Sequence, residues 1–258
     1  MEKLLGKREM KKTILFDSPL RFTFSGAILG VLLCAFFYAS HAFAQPAGSA
    51  GTAQPSRVYS PVYPYEALIA GRSGWAEITF TVDYSGRATF LGTVGASDPD
   101  CASALQADIE AIEFLAPRVN GRTMISKLNV RFDFLAQPIL EPAIQEVLAE
   151  LKKPKPAIFS VSELDKKPAP IRQPRPAYPW TLRSDATSGQ AEIEFVIDRT
   201  GRPVLPRIIS ATQTDFGWAA VTCVKNWRYQ PAMKNGEKVL ARLTETVVFD
   251  INNSSDMW

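Results

Sequence analysis

Histidine is almost missing from this 258-residue sequence. The one histidine, His41, lies in an N-terminal stretch with the layout of an export leader, and the body beyond it has none. Ser–His and Cys–His nucleophile pairs are thereby excluded from the body, as are histidine metal sites. No enzymatic activity is expected, and neither a cofactor nor a metal. Cysteine is scarce too. Cys34 falls in the leader, and Cys101 and Cys223 are widely separated, which is neither a disulfide framework nor a zinc spacing. Cys223 shares helical spacing with Phe216, Ala220 and Trp227 and reads as a buried small hydrophobe. A bridge between Cys101 and Cys223 is the alternative. An excess of charge is lacking as well. The leader carries six basic and three acidic residues, so the formal +3 resides there, and the remaining 23 basic and 23 acidic residues cancel. A nucleic-acid binder needs a basic patch to neutralise phosphates, so no nucleic-acid partner is expected. There is no glycine-rich phosphate loop and no nucleophile elbow.

What is present begins with the leader. Residues 1–21 are polar and basic, residues 22–39 are almost uncharged, and Ala42-Phe43-Ala44 precedes Gln45. That is the order of a signal peptide. The apolar stretch is also at the lower edge of bilayer-spanning length, ~18 residues, with Lys and Arg on its N-terminal side, so a retained inner-membrane anchor is the competing reading. Both place the body in the periplasm. Residues 45–57, rich in Ala, Gly, Pro and Ser, read as a flexible tether.

The body contains one pattern twice, at a fixed offset of 115 residues. Pro176, Tyr178 and Pro179 repeat Pro61, Tyr63 and Pro64. Ser188-Gly189 repeats Ser73-Gly74, and Ala191-Glu192-Ile193 repeats Ala76-Glu77-Ile78. Phe195, Asp198, Gly201, Asn235-Gly236 and Phe249 repeat Phe80, Asp83, Gly86, Asn120-Gly121 and Phe134. An internal period decides the fold before any local signal does. The expected layout is a leader at 1–44, a tether at 45–57, a first repeat at 58–137, a helical linker at 138–156 and a second repeat at 157–252.

Within repeat 1, Ala76, Ile78, Phe80 and Val82 alternate with Glu77, Thr79, Thr81 and Asp83, which predicts a strand with one buried face. Glu77 and its counterpart Glu192 fall on the solvent face, away from acid–base work. Asp83-Tyr84-Ser85-Gly86 is a hairpin signal leading to a strand over 88–96. Asp98-Pro99 predicts a helix start, and Leu105, Ile109, Ile112 and Ala116 recur at helical spacing. Leu128, Val130, Phe132 and Phe134 predict a third strand. Repeat 2 predicts strands at 191–198, 204–211 and 240–249, with a helix over 216–228 capped by Asp215. Leu140, Ile144, Val147, Leu148 and Leu151 make an amphipathic helix between the repeats, begun by Glu141-Pro142 and stopped by Pro154. A proline-rich, extended approach to repeat 2 follows at 168–176. The fold class is α+β: two tandem small domains, each a three-stranded antiparallel sheet with one packed helix.

The ordered set Pro-x-Tyr-Pro, Ser-Gly before an alternating strand, Asp-x-x-Gly, a helix leading to Trp227-Arg228-Tyr229-Gln230-Pro231-Ala232, Asn235-Gly236 and a last strand ending at Phe249 resembles the TonB C-terminal domain family. Repeat 1 is similar but has Ile112 where repeat 2 has Trp227. The resemblance implies a periplasmic energy transducer in transport across the outer membrane. It implies that the N-terminal peptide of an outer-membrane transporter binds by adding a strand, with inner-membrane motor proteins and a second copy of the chain as further partners. An exposed sheet edge offers unpaired backbone groups to such a strand. By resemblance the edge is the last strand, with Tyr178, Pro179, Leu243, Thr244, Glu245, Thr246, Val247 and Val248 as partner-binding residues. Its counterpart in repeat 1 is Lys127 to Asp133. The alternative function is a periplasmic binding or scaffold module with TonB-like domains and no motor.

Overall fold

Alternation decides the strands. Ala76, Ile78, Phe80 and Val82 are fully buried along β1 (Gly74–Val82), and the residues between them are only half-covered. The structure, a computed structural model, describes residues 52–136, 140–185 and 187–250; the leader expected at 1–44 lies outside the described residues. β1 turns back through a tight hairpin into β2 (Ala88–Ala96). One carboxylate organises that turn: Asp83 Oδ1 accepts the backbone N–H groups of Ser85 at 2.8 Å and Arg87 at 3.0 Å. Helix α1 (Pro99–Glu110) follows, capped as the sequence predicts, with the Asp98 side chain accepting the Asp100 N–H at 2.9 Å and Pro99 in the first turn. β3 (Ser126–Phe134) then pairs antiparallel with β1, giving the order β2-β1-β3.

The linker forms helix α2 (Pro142–Leu151). Its Val147 shares a buried cluster with Leu68, Val196 and Leu240, so the helix covers part of the outer face of the second sheet. Arg199 of the second hairpin donates to Glu146 of this helix at 2.8 Å. The chain then lays a short strand, β4 (Ile158–Ser160), against the second sheet.

Repeat 2 supplies β5 (Gly189–Ile197), β6 (Pro203–Ala211), α3 (Thr214–Val224), β7 (Ala232–Lys234) and β8 (Glu237–Phe249). The hairpin is built as in repeat 1: Asp198 Oδ1 accepts the N–H groups of Thr200 at 2.8 Å and Arg202 at 2.9 Å. Two expectations are corrected. The second sheet has five strands, not three, in the order β6-β5-β8-β7 with β4 parallel to β8. Length brings in β7: β8 has 13 residues against nine in β3, and its first residues extend past β5 to meet β7, while β4 is laid alongside Leu240–Arg242 by the chain that enters repeat 2. Helix α3 begins after Gln213, not Asp215, and ends at Val224, so Trp227 lies outside it. Asp215 sits in the first turn and accepts the Thr181 hydroxyl. The chain leaves the helix there because Tyr229 must present its N–H to the Gly201 carbonyl, at 2.8 Å.

The two repeats do not keep separate cores. One buried cluster runs from Ile78, Leu105 and Ile109 through Ala220 and Val224 to Phe195 and Phe249. Every residue of α3 from Phe216 to Val224 is buried. A helix apolar all round cannot be covered by one small sheet, so its far side packs on α1. The expected tether is also fastened earlier than its sequence implies. Gln54–Pro55 pairs with Phe114–Leu115, the Ser56 N–H donates to the Glu113 carbonyl at 2.8 Å, and Arg57 meets the buried Asp108 at 2.9 Å.

Two turn glycines test this packing. Gly201 has φ +88°, and a Cβ there would stand 2.0 Å from the Tyr229 carbonyl oxygen. Gly236 has φ +78° with open space around it. Gly236→Ala carries only the left-handed strain, about 1 kcal/mol, whereas Gly201→Ala must also displace the backbone and costs upward of about 3 kcal/mol. Urea unfolding midpoints of the two variants measure the difference; equal losses would refute the close approach.

Candidate functional site

Strand β8 has two margins. Along one, β5 pairs with Ala241–Phe249. Along the other, β7 takes Glu237–Val239 and β4 takes Leu240–Arg242. From Leu243 to Phe249 that second margin has no neighbouring strand among the described residues. The sequence explains why β4 stops. Ser160 opens a capping box: its N–H and hydroxyl both donate to Glu163 Oε2 at 2.7 Å, which turns the chain into a 3₁₀ turn over Val161–Glu163 and away from the sheet.

The residues expected to bind a partner fall into three groups. Thr244, Thr246 and Val248 are exposed, and Glu245 is half-buried. Leu243 and Val247 point into the core. Tyr178 and Pro179 are buried rather than presented. The Tyr178 ring packs edge-on to Phe216 at 5.6 Å and Phe249 at 6.4 Å, and its hydroxyl donates to the Thr187 carbonyl. Tyr178 therefore anchors the end of β8, and the open margin beside it consists of backbone and alternate side chains. In repeat 1, β3 has β1 on one side and no strand on the other among the described residues.

Beside the end of β8 lies a cleft of about 950 Å³, formed where the repeats meet. Glu110 on its wall accepts from the Gln106 amide at 3.0 Å and from the Trp180 backbone N–H at 3.3 Å, a contact between the repeats. Burial pushes this carboxyl up to about 7; the Asp215 charge acts the same way, and Arg183 opposes it. Lys225 makes a second contact between repeats, donating to the Ser60 carbonyl and hydroxyl, and burial holds its ammonium below the usual lysine range. Cys223 is a free, buried thiol donating to the Pro174 carbonyl at 2.9 Å, and burial pushes it up to about 11. Cys101 is also free and buried, so the alternative of a bridge between them is corrected. A thiol with so little thiolate is a packing residue, not a nucleophile. Asp198 shows the opposite balance: burial alone would raise it, but the Thr200 hydroxyl and the hairpin N–H groups pull it below the usual carboxylate range. Among the described residues, no group of three His, Cys, Asp or Glu side chains is placed to hold a metal ion.

Residues 174–251 match the family described as Gram-negative bacterial TonB protein C-terminal. The second repeat is TonB-like. Its resemblance to that family is carried by the hairpin, helix, Trp-Arg-Tyr segment and last strand just described. Among solved structures, the solution structure of the Pseudomonas aeruginosa TonB C-terminal domain is 22% identical, covering 36% of this chain and 94% of that one, with a TM-score of 0.31. The TonB2 protein from Vibrio anguillarum is 30% identical, covering 32% of this chain and 80% of that one, with a TM-score of 0.26. No curated protein matches the chain.

The last strand, named as the edge by family resemblance, has an open margin from Leu243 among the described residues; the cleft and the partial cover by β4 were not anticipated. The Ser160-to-Glu163 box was readable in advance; the junction between repeats carries no local signal.

Glu110 makes the junction pH-dependent. Its folded-state pKa, about 7, lies above the ordinary 4.5, so folding takes up a proton between these values. Stability falls as pH rises from 4.5 to 7 by an amount on the order of 3 kcal/mol, and Glu110→Gln flattens that slope and is the more stable protein above pH 7. Chemical denaturation across this range measures it; an unchanged slope in the variant would remove Glu110 as the cause.

Proposed function

We propose that this is a periplasmic TonB-like protein that binds a partner peptide by strand addition and takes part in energy-dependent transport across the outer membrane. The observation that carries this reading is the margin of β8 from Leu243 to Phe249, flanked by a strand on one side only among the described residues. A seven-residue margin in which every second residue turns its N–H and C=O to the open side is enough for a short extended peptide, and Thr244, Thr246 and Val248 give it side chains to read. The match of residues 174–251 to the TonB C-terminal family supports the same end of the chain as the binding unit. In this reading the TonB-like repeats occupy 58–137 and 157–252, the exported chain lies beyond the inner membrane, and the peptide is the N-terminal segment of an outer-membrane transporter. Inner-membrane motor proteins engage the leader where it is retained.

A second reading, a periplasmic binding or scaffold module without a motor, is favoured by one observation. The chain is already paired at Gln54–Pro55. Residues 45–53 then reach only ~30 Å at full stretch, short for coupling two membranes.

Hydrogen exchange with a transporter-derived peptide tests the binding mode. In an added strand every second amide from Leu243 to Phe249 gains a partner and slows about tenfold or more, and those already paired to β5 do not change. Uniform protection across repeat 2, or none on β8, would reject strand addition at this margin.

A further inference from the structure

The far margin of β3 is open along its whole length. β1 pairs with the strand from Ser126 to Phe134, and no strand lies on its other side among the described residues. Its side chains alternate. Leu128, Val130 and Phe132 are half-buried on the core face, and Lys127, Asn129, Arg131 and Asp133 are exposed on the other. Two large apolar residues flank the strand: Ile125 is 54% exposed and Leu135 is 55% exposed. A nine-residue edge of this kind is a template for another strand.

The order of the residues decides which strand fits. Val130 is the middle residue of β3. An antiparallel copy of β3 with Val130 opposite Val130 sets Lys127 against Asp133, Leu128 against Phe132 and Asn129 against Arg131, and each pair occurs twice. Every pair joins residues of the same face, so charged groups meet on the exposed face and apolar groups on the core face. Just beyond the strand ends, Ile125 meets Leu135. Asp133 accepts from Arg131 of its own chain at 3.0 and 3.2 Å, both through Oδ1, and its second oxygen is placed to take the ammonium of Lys127. A slip of two residues one way opposes Lys127 to Arg131, and a slip the other way opposes Arg131 to itself; like charges directly opposite are destabilising. The equivalent strand of repeat 2 lacks this symmetry. Glu245 stands where Val130 does, so the same pairing along β8 would oppose two carboxylates at its centre, and Arg242 would face Val248. β4 also takes Leu240–Arg242 there.

We propose that two copies of this chain pair through β3, antiparallel and centred on Val130. The first sheets of the two molecules then join into one sheet of six strands, three from each copy. The interface uses a different edge from the β8 margin and does not rest on strand addition there.

The test is sedimentation velocity of the full chain between about 1 and 100 μM, in about 150 mM salt. A monomer–dimer equilibrium is expected. Lys127→Asp opposes two carboxylates twice and weakens the dimer about tenfold or more, and Asp133→Lys does the same with two ammonium groups. The double exchange, Lys127→Asp with Asp133→Lys, restores it. Lys152→Asp, the same change of charge at an exposed site on α2, leaves it unchanged. Both β3 positions are exposed, so the variants fold. Monomer throughout, failure of the double exchange to restore the dimer, or a dimer that Lys127→Asp weakens no more than Lys152→Asp would overturn the proposal; association through the leader gives that last result. Slowed amide exchange along β3 only after a transporter-derived peptide is added would assign the margin to a guest strand and overturn it as well.

Discussion

Helix α3 has no side that water can take. From Phe216 to Val224 it is buried on every residue, although it is only 11 residues long. Its own sheet covers one face through Phe195, Ile193 and Phe249. The remaining face requires another apolar surface, and α1 of the first repeat provides it through Ala104, Ala107 and its neighbours. Apolar burial of this kind contributes roughly 25 cal/mol per Å² and is the largest favourable term in folding. Repeat 1 is thus held in place by the apolar character of repeat 2's helix, and the polar contacts of Glu110 and Lys225 are arranged around that contact.

The same constraint positions the open margin. With the core face of the second sheet occupied by α3 and part of its outer face occupied by α2, the side of β8 beyond Arg242 is one margin that no strand covers among the described residues. Tyr178, Phe216 and Phe249 close the far end of the core beneath it. The edge is already extended, and its residues alternate between buried Leu243 and Val247 and exposed Thr244, Thr246 and Val248. A pre-extended edge reduces the ordering cost of the proposed strand addition.

Much of this was legible in the sequence because the signals were local or periodic. Alternation gave β1, β5 and their partners, the Asp-x-x-Gly turns gave both hairpins, and Asp98-Pro99 gave the start of α1. The offset of 115 residues gave the shared layout, down to the left-handed Asn120 and Asn235 in equivalent turns. What escaped was decided at long range. The end of α3 is set by the approach of Tyr229 to Gly201, and the fastening of Gln54–Pro55 depends on a strand 60 residues away in sequence. Tyr178 and Pro179 looked available for a partner because a sequence does not show that Phe216 and Phe249 close over the ring. The arginine-lined cleft drew on residues from 57 to 183, no two of which form a motif.

Strand β4 has a consequence beyond its three residues. It ends against Arg242, so any peptide laid along β8 meets a fixed stop where the chain's own backbone begins. A slip of one residue would turn every side chain of a guest strand to the opposite face. If a guest strand adds there as proposed, β4 fixes where that strand can begin, and a chain lengthened or shortened between Ile158 and Ser160 would move that starting point.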